Sequence, residues 1–402
     1  MSSPYLAAPA ALAALIWLYL LFAHGRYWLA DQRLPAPGTD EPPSAGWPAV
    51  AAVVPARDEA DALPLSLPAL LAQDYPGDFR VILVDDASTD GTADVALKLA
   101  DELARSGSCA DRLQIVHSDG PPPGWAGKVA AMNRGFAAVA ELEPAYVLFT
   151  DADIAHPVDG MRRLVAFAEA RELDLVSLMA LLRTETAAER AIVPAFVYSF
   201  AQLYPFARVN KPRSRAAAAA GGCMLVRSEA LIHVGGLAQI SGARIDDVAL
   251  GRLLKQGSAT RCTWLGLTTA VRSIRPYSRL ADLWDMIARS AYIQLRRSPL
   301  LLVGTLLGLL LMYAVPPVFG LVFLPAALTS GGWAAATSAL ALAAWALMCI
   351  SYLPTVRLYG LRPWRALQLA PVMLLYGAMT FDSALRHYRG SGGRWKGRVE
   401  EA

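Results

Sequence analysis

The sequence predicts an α/β protein built on a mostly parallel sheet, with an N-terminal membrane anchor and C-terminal membrane helices. Three observations predict it. Between Val50 and Thr150 short apolar runs alternate with helical patterns, which argues for a sheet covered on both faces. Acidic residues follow three of those runs, at Glu59, at Asp85 and Asp86, and at Asp151 and Asp153. The hydrophobic share, 55% of the 402 residues, exceeds what a water-soluble domain needs, and the excess lies at the two ends of the chain.

Tyr5 to Ala23 is apolar throughout and close to the ~20 residues that span a bilayer. No Lys or Arg precedes it, unlike a cleaved signal peptide, and Arg26 and Arg33 follow it, which places the next segment in the cytoplasm. Residues 1–25 therefore read as an anchor and 26–49, rich in Pro and Gly from Pro35 to Pro48, as a linker. Val50 to Val54 reads as a buried strand stopped by Pro55, followed by Ala56-Arg57-Asp58-Glu59 and a helical pattern through Leu63, Leu67, Leu70 and Leu71. A second strand, Phe79 to Val84, runs into Asp85-Asp86-Ala87-Ser88-Thr89-Asp90-Gly91-Thr92, whose cap-type residues open a helix from Ala93 to Leu103. Strand Leu113 to His117, helix Lys128 to Ala140 and strand Tyr146 to Phe149 complete the alternation.

Asp151 and Asp153 stand two apart where the last strand ends, at the carboxyl edge where ligands bind in open α/β sheets. Alone, the two carboxylates repel. A divalent cation resolves the repulsion and can also hold a diphosphate. Asp86 and Glu59 are placed to accept hydrogen bonds from a base N–H or a ribose hydroxyl, although acids after strands also serve as turn and cap residues, a role that suffices for Asp90. The rigid loop Pro121-Pro122-Pro123-Gly124-Trp125-Ala126-Gly127 brings Lys128 to a helix N-terminus, a setting for an anion. Gly221-Gly222 leads a strand and admits close backbone approach. Asp246-Asp247 opens a helix that reaches Lys255 and closes at Gly257; acids at a helix start also serve its dipole.

From Tyr277 to Leu295 apolar residues recur at three- and four-residue spacing, so residues 276–298 read as an amphipathic helix in the membrane interface or packed on the soluble core. Leu300 to Leu328, Trp333 to Leu353 and Ala366 to Phe381 are the membrane runs of region 299–382. Pro371 breaks the last of them in this reading, making it re-entrant or interfacial, which leaves the basic tail 383–402 cytoplasmic; Pro316-Pro317 is a rival break. The net charge of +3 is modest and its cations flank membrane runs, which points to anionic lipid rather than nucleic acid as a partner. The four cysteines lack zinc spacing, and neither a Gly-x-Gly-x-x-Gly nor a P-loop pattern occurs.

Val53-Val54-Pro55-Ala56-Arg57-Asp58-Glu59, Val84 to Thr92, Gly127-Lys128 and Asp151-Ala152-Asp153, in this order, resemble the family-2 glycosyltransferases. Gly124-Trp125-Ala126-Gly127-Lys128, Phe149 to His156 and the terminal apolar runs resemble their hopanoid-associated branch. The resemblance implies a nucleotide-diphosphosugar-binding α/β domain over 50–275 and an inverting transfer of one sugar. It implies donor contacts from Pro55, Glu59, Asp86, Lys128 and Asp151, and from Gln294 and Arg297 of a Gln-x-x-Arg pattern. It further implies Mg²⁺ or Mn²⁺ on Asp153 and Asp151, a general base at Asp247 with Asp246 as the alternative, and Gly221 and Gly222 on the acceptor side. Ser298 stands where processive synthases keep a Trp, which disfavours a polymerase. The expected partners are a nucleotide sugar of UDP type and a lipid acceptor of hopanoid type, with polyprenyl-phosphate or ceramide-type lipids as alternatives. A silent sugar-nucleotide-binding scaffold is the non-enzymatic alternative. The expected location is the inner (cytoplasmic) membrane, multi-pass, with the catalytic domain cytoplasmic.

Overall fold

A computed structural model describes residues 5, 7–36, 38, 42–105, 111–389, 394–395 and 398–399. The expectations for the extreme N-terminus, parts of the linker, Cys109 and most of the basic tail beyond residue 389 lie outside the described residues. The chain forms two compact units: a sheet unit of Asp31–Arg183, Phe206–Pro276 and Trp395–Ala402, and a helical unit of Met1–Ala30, Thr184–Pro205 and Tyr277–Arg394.

The sheet unit carries strands β1 (Val50–Ala56), β2 (Phe79–Asp86), β3 (Leu113–Ser118), β4 (Tyr146–Thr150), β5 (Ile154–Ala155), β6 (Leu175–Leu181), β7 (Cys223–Arg227) and β8 (Thr263–Ser273). They form one sheet in the order β3-β2-β1-β4-β7-β6-β8-β5. The first four strands are mutually parallel, joined by helices Leu63–Leu71, Thr92–Arg105 and Gly127–Ala138. In the second half β6 and β8 are parallel, but β7 runs antiparallel to both β4 and β6, and β5 antiparallel to β8. The sheet is therefore mixed. A parallel neighbour needs a crossover that returns to the same end, whereas β7 is reached through residues 182–222, which run partly through the helical unit.

Period-two alternation divides the strands between two cores. Val50, Ala52 and Val54 pack with Leu63, Leu67 and Leu71 on one face, and Ala51 and Val53 with Val129 and Met132 on the other. Burial on both faces makes the strands continuous apolar runs rather than alternating ones. β1 continues past Pro55 to Ala56, paired with β2 at Pro55↔Val84, after β4 has stopped pairing at Val53↔Phe149. On the β4 side no ladder partner remains for Pro55, so the missing N–H costs nothing there. The parallel register brings the ends of β1, β2 and β4, and so Glu59, Asp86 and Asp151, to one edge.

In the helical unit, Pro299–Val322 (24 residues) and Gly332–Leu358 (27 residues) are long and apolar enough to cross a membrane. Helix Ala7–Phe22 has 16 residues, short of the ~20 a span requires. Pro316-Pro317 does not break its helix: a π turn at Leu310–Ala314 precedes it and absorbs the backbone bonds that the prolines cannot make. Pro371 does not break the last run either. It sits in the first turn of the continuous helix Leu369–Tyr388, where its missing N–H is one of the unpaired donors anyway. The single amphipathic helix expected from Tyr277 is two shorter ones, Leu280–Ala288 and Ala291–Gln294, packed on Leu369–Tyr388. Trp284 Nε1 donates to Asp382 at 2.7 Å, and Arg386 pairs with Asp285 at 2.7 Å. Ser298 caps helix Pro299–Leu309 by accepting from Leu301 N.

Gly251, inside helix Asp246–Gly257, shows how close the packing is: an added Cβ would lie 2.6 Å from the Ala218 carbonyl carbon. Backbone cannot yield as a side-chain tip does, so overpacking at about 1–3 kcal/mol outweighs the ~1 kcal/mol of helix propensity gained. Gly251→Ala is therefore expected to lower the urea unfolding midpoint; an unchanged or raised midpoint would contradict this packing.

Candidate active site

The turn after β4 holds Asp151 and Asp153 rigidly. Ile154 N donates to Asp151 O at 3.1 Å, Ser66 Oγ donates to Ala152 O at 2.6 Å, and Ile274 N donates to Asp153 O at 2.9 Å. Thr150 Oγ1 donates to Gly222 O at 2.7 Å and lies 2.8 Å from His156 Nε2. The Thr150 proton is thus used, which assigns the His156 proton to Nε2. Burial pushes the His156 pKa down to about 4, so the neutral ring braces Thr150, which itself carries the link to Gly222.

Three cations meet the acids at this edge. Lys128 Nζ lies 2.7 Å from Asp151 Oδ1 and 3.1 Å from Asp246 Oδ2. The second contact lacks hydrogen-bond geometry and leaves that buried oxygen without a hydrogen bond among the described residues, so it is an electrostatic contact. Arg275, just beyond β8, joins Asp153 Oδ2 through Nε at 2.9 Å and Glu59 Oε1 through Nη2 at 2.7 Å. Arg57 Nη1 donates to the Asp86 carbonyl at 2.8 Å and stands 3.8 Å from its carboxylate. Asp86 itself is buried and accepts from Ser118 Oγ at 3.2 Å.

Asp247 Oδ2 accepts from Gly221 N at 3.0 Å, and Oδ1 from Val248 N at 2.7 Å. Burial and the neighbouring Asp246 push its carboxyl up to about 7, against the opposing pull of Lys128 and the two backbone N–H groups. Burial likewise raises Asp151, with Lys128 opposing, whereas Lys128 is kept charged because Asp151 and Asp246 outweigh its own burial. A Cβ at Gly221 would lie 3.1 Å from Lys128 Nζ and 3.4 Å from Asp247 Oδ2, so the missing side chain is what lets these groups close up. At Gly222 a Cβ would meet Ile154 at 3.0 Å.

The residues Glu59, Asp86, Lys128, Asp151, Asp153, Gly221, Asp246 and Asp247 thus belong to one unit, with Pro55 buried in β1 beside them in sequence. Gln294 and Arg297 belong to the helical unit, where Gln294 Nε2 donates to Tyr204 Oη and Arg297 N to Tyr292 O. The sequence reading missed Arg275 and Arg57. An acidic edge implies counter-ions, but Arg275 gains its place from the β5–β8 pairing, which no local pattern announces.

Carboxylates are hard donors suited to Mg²⁺ or Mn²⁺. Among the described residues no group of three or more His, Cys, Asp or Glu forms a metal cage. Two carboxylates alone leave most of a cation's shell to ligands from outside the chain, and Asp151 and Asp153 are here paired with Lys128 and Arg275, which shows that this edge attracts positive charge.

Residues 51–235, just short of half of the chain, match the profile of "Glycosyl transferase family 2", so the chain contains a domain of that family. No curated protein matches the sequence. Among solved structures, the mannosyltransferase PcManGT from Pyrobaculum calidifontis, in complex with GDP-Man and Mn²⁺, is similar at 20% identity and TM-score 0.52, covering 94% of this chain and 99% of its own. Glucosyl-3-phosphoglycerate synthase of M. tuberculosis is similar at 18% identity and TM-score 0.38, covering 62% and 80%. S. aureus TarS follows at 14% and 0.38, covering 84% and 54%. The first of these likenesses is one of fold.

Lys128→Met tests the charge balance. Without the ammonium, Asp151 and Asp247, already raised by burial, rise further above the ordinary carboxylate value. A carboxyl raised in the folded state is neutral in both states at low pH and destabilises folding as pH climbs through its two values. Thermal unfolding should therefore show a larger loss for Lys128→Met at pH 8 than at pH 4; an equal loss at both would remove this electrostatic role.

Proposed function

Given the family-2 domain, we propose that this protein is a membrane-bound glycosyltransferase. It moves one sugar from a nucleoside-diphosphate sugar to a lipid acceptor with inversion. The observation that carries this reading is the junction at Lys128, where the strand-end acid Asp151 and the helix-start acid Asp246 meet at one ammonium, with Asp247 next in sequence and held on Gly221 N beside it. A group that binds a leaving diphosphate and a group that accepts a proton must flank a single reacting carbon.

Glu59 and Asp86, beside Pro55, hold the nucleoside, and Lys128 contributes positive charge for the phosphates. Asp151 and Asp153 hold Mg²⁺ or Mn²⁺, which supplies neutralisation of the diphosphate when bound. Asp247 takes the proton of the acceptor hydroxyl as its oxygen bonds to the anomeric carbon, while the carbon–diphosphate bond breaks on the opposite face. Asp246 tunes it as the adjacent charge, and Gly221 and Gly222 leave room for the acceptor. A carboxyl with a pKa of about 7 is matched to this work near neutral pH. The mannosyltransferase of like fold, solved with GDP-Man and Mn²⁺, accords with a nucleotide-sugar donor and a divalent cation.

Two apolar helices of spanning length support a membrane location and a lipid acceptor, and the resemblance of residues 124–128 and 149–156 to the hopanoid-associated branch favours a hopanoid. Ser298, used as a helix cap, supports single transfer over polymer synthesis.

Labelled UDP- and GDP-sugars offered with lipid extracts test the reading directly; a labelled lipid is expected, and a labelled polymer or no product would refute it. Asp247→Asn should keep nucleotide-sugar affinity in calorimetry while transfer falls by about 10²–10⁴-fold, the usual cost of losing a general base. Because the ionised carboxylate is the active form, kcat/KM should rise with pH through about 7 in the wild type, and this limb should vanish in the variant's residual activity. A chelator should abolish transfer; full activity in excess chelator would separate Asp151 and Asp153 from any metal.

A further inference from the structure

Arg275, like Arg57, has no task in the glycosyltransferase reading. Its guanidinium reaches two acids from two different strand ends, Asp153 after β4 and Glu59 after β1. Both acid side chains are nearly buried, at 10% exposure each, while the Arg275 side chain is 34% exposed. The outward side of the pair is thus the arginine. Asp153 Oδ2 also accepts from Ser273 Oγ at 3.2 Å, and the backbone link from Ile274 N to Asp153 O fixes the two segments together. The backbone at Arg275 is therefore held beside Asp153, and only its side chain has to move for the guanidinium to exchange partners.

We propose that Arg275 is a resident counter-ion that occupies Asp153 until a divalent cation takes the carboxylate, and that it then contacts the donor's diphosphate. The inference rests on the glycosyltransferase reading. A divalent cation on Asp153 uses lone pairs of the carboxylate that Arg275 Nε now engages at 2.9 Å, and two cations repel at such range. Glu59 still anchors Nη2, so the displaced guanidinium stays at the site with donors freed. A guanidinium carries five N–H donors in a fork that matches a phosphate. The arriving diphosphate is the nearest anion of that shape. The exchange conserves charge: the carboxylate trades a monovalent partner for a divalent one, and the arginine trades a carboxylate for a phosphate.

This arrangement makes an uncommon demand on one side chain. Removing a positive charge must strengthen binding of a positive ion and weaken binding of an anion. An arginine that acted only through its field would show both shifts in a variant that removes the charge and neither in Arg275→Lys, which keeps it.

The experiment is equilibrium binding on the full chain in detergent, without turnover. Mn²⁺ alone is titrated by electron paramagnetic resonance of the free ion, and UDP and GDP are titrated by calorimetry at saturating Mn²⁺. Arg275→Gln should bind Mn²⁺ alone about 10-fold more tightly than wild type, and the nucleotide that wild type binds about 10-fold more weakly, each the size of one charge-assisted hydrogen bond. Arg275→Lys, which keeps the charge but lacks the fork and so cannot satisfy both acids as the fork does, should shift in the same two directions by about 3-fold. It also answers the question if the glutamine variant does not fold. Metal affinity that is unchanged or lower, or nucleotide affinity that is unchanged, overturns the proposal. If wild type binds Mn²⁺ and a nucleotide but the variants show no opposed shifts, only this inference fails. If wild type binds neither, the glycosyltransferase reading fails with it.

Discussion

The contact on which this site depends is the ammonium of Lys128 between Asp151 and Asp246. The sheet brings acids to one edge by its parallel register, and the helix at Asp246 adds two more. Uncompensated, such a gathering of carboxylates opposes folding, because each burial favours the neutral acid and each neighbour raises the next. Lys128 and Arg275 turn that repulsion into a lattice in which each cation joins two acids from different segments of chain. Lys128 ties β4 to the helix at Asp246, and Arg275 ties β1 to β4 through the end of β8. The charges thereby also set the spacing of the site.

One carboxylate is left outside full compensation. Asp247 is held by two backbone N–H groups rather than by a cation of its own, which leaves burial and Asp246 to raise it to about 7. The same lattice that keeps the other acids paired thus isolates one acid that can exchange a proton near neutrality. Gly221 is the hinge of this division: it gives its N–H to Asp247 and leaves the space in which Lys128 sits.

The first half of the fold was legible because its information is local. An apolar run that ends in acids and feeds a helical pattern is contained within about thirty residues, the length of a βαβ unit, and β1, β2 and β4 each end in this way. The Asp-x-Asp turn, the Gly-Lys at a helix start and the Asp-Asp at another could be read the same way. The second half was not. The reversal of β7 depends on a long excursion of the chain, and the pairing of β5, two residues long, depends on β8 more than a hundred residues later. Arg275 is placed by that pairing, so nothing near it in sequence marks it. The proline breaks failed for a different reason: Pro371 lies at a helix start and Pro316-Pro317 behind a π turn, and in both settings proline is tolerated.

The helical unit is drawn from three separated stretches of chain, and Trp17 in the first donates to the carbonyl of Met312 in the third, at 3.0 Å. At ribosomal rates of ~5–20 residues per second, roughly 15–60 s of synthesis separate the appearance of these two partners. Helix Ala7–Phe22 is made first and docked late. Throughout that interval the helices it packs on, Val315–Val322 and Gly332–Leu358, have not been made, while the sheet unit between the two stretches emerges and can fold. Assembly of the helical unit is thus a late step, and a nascent chain stalled before residue 299 holds an N-terminal helix with its indole unpartnered by Met312.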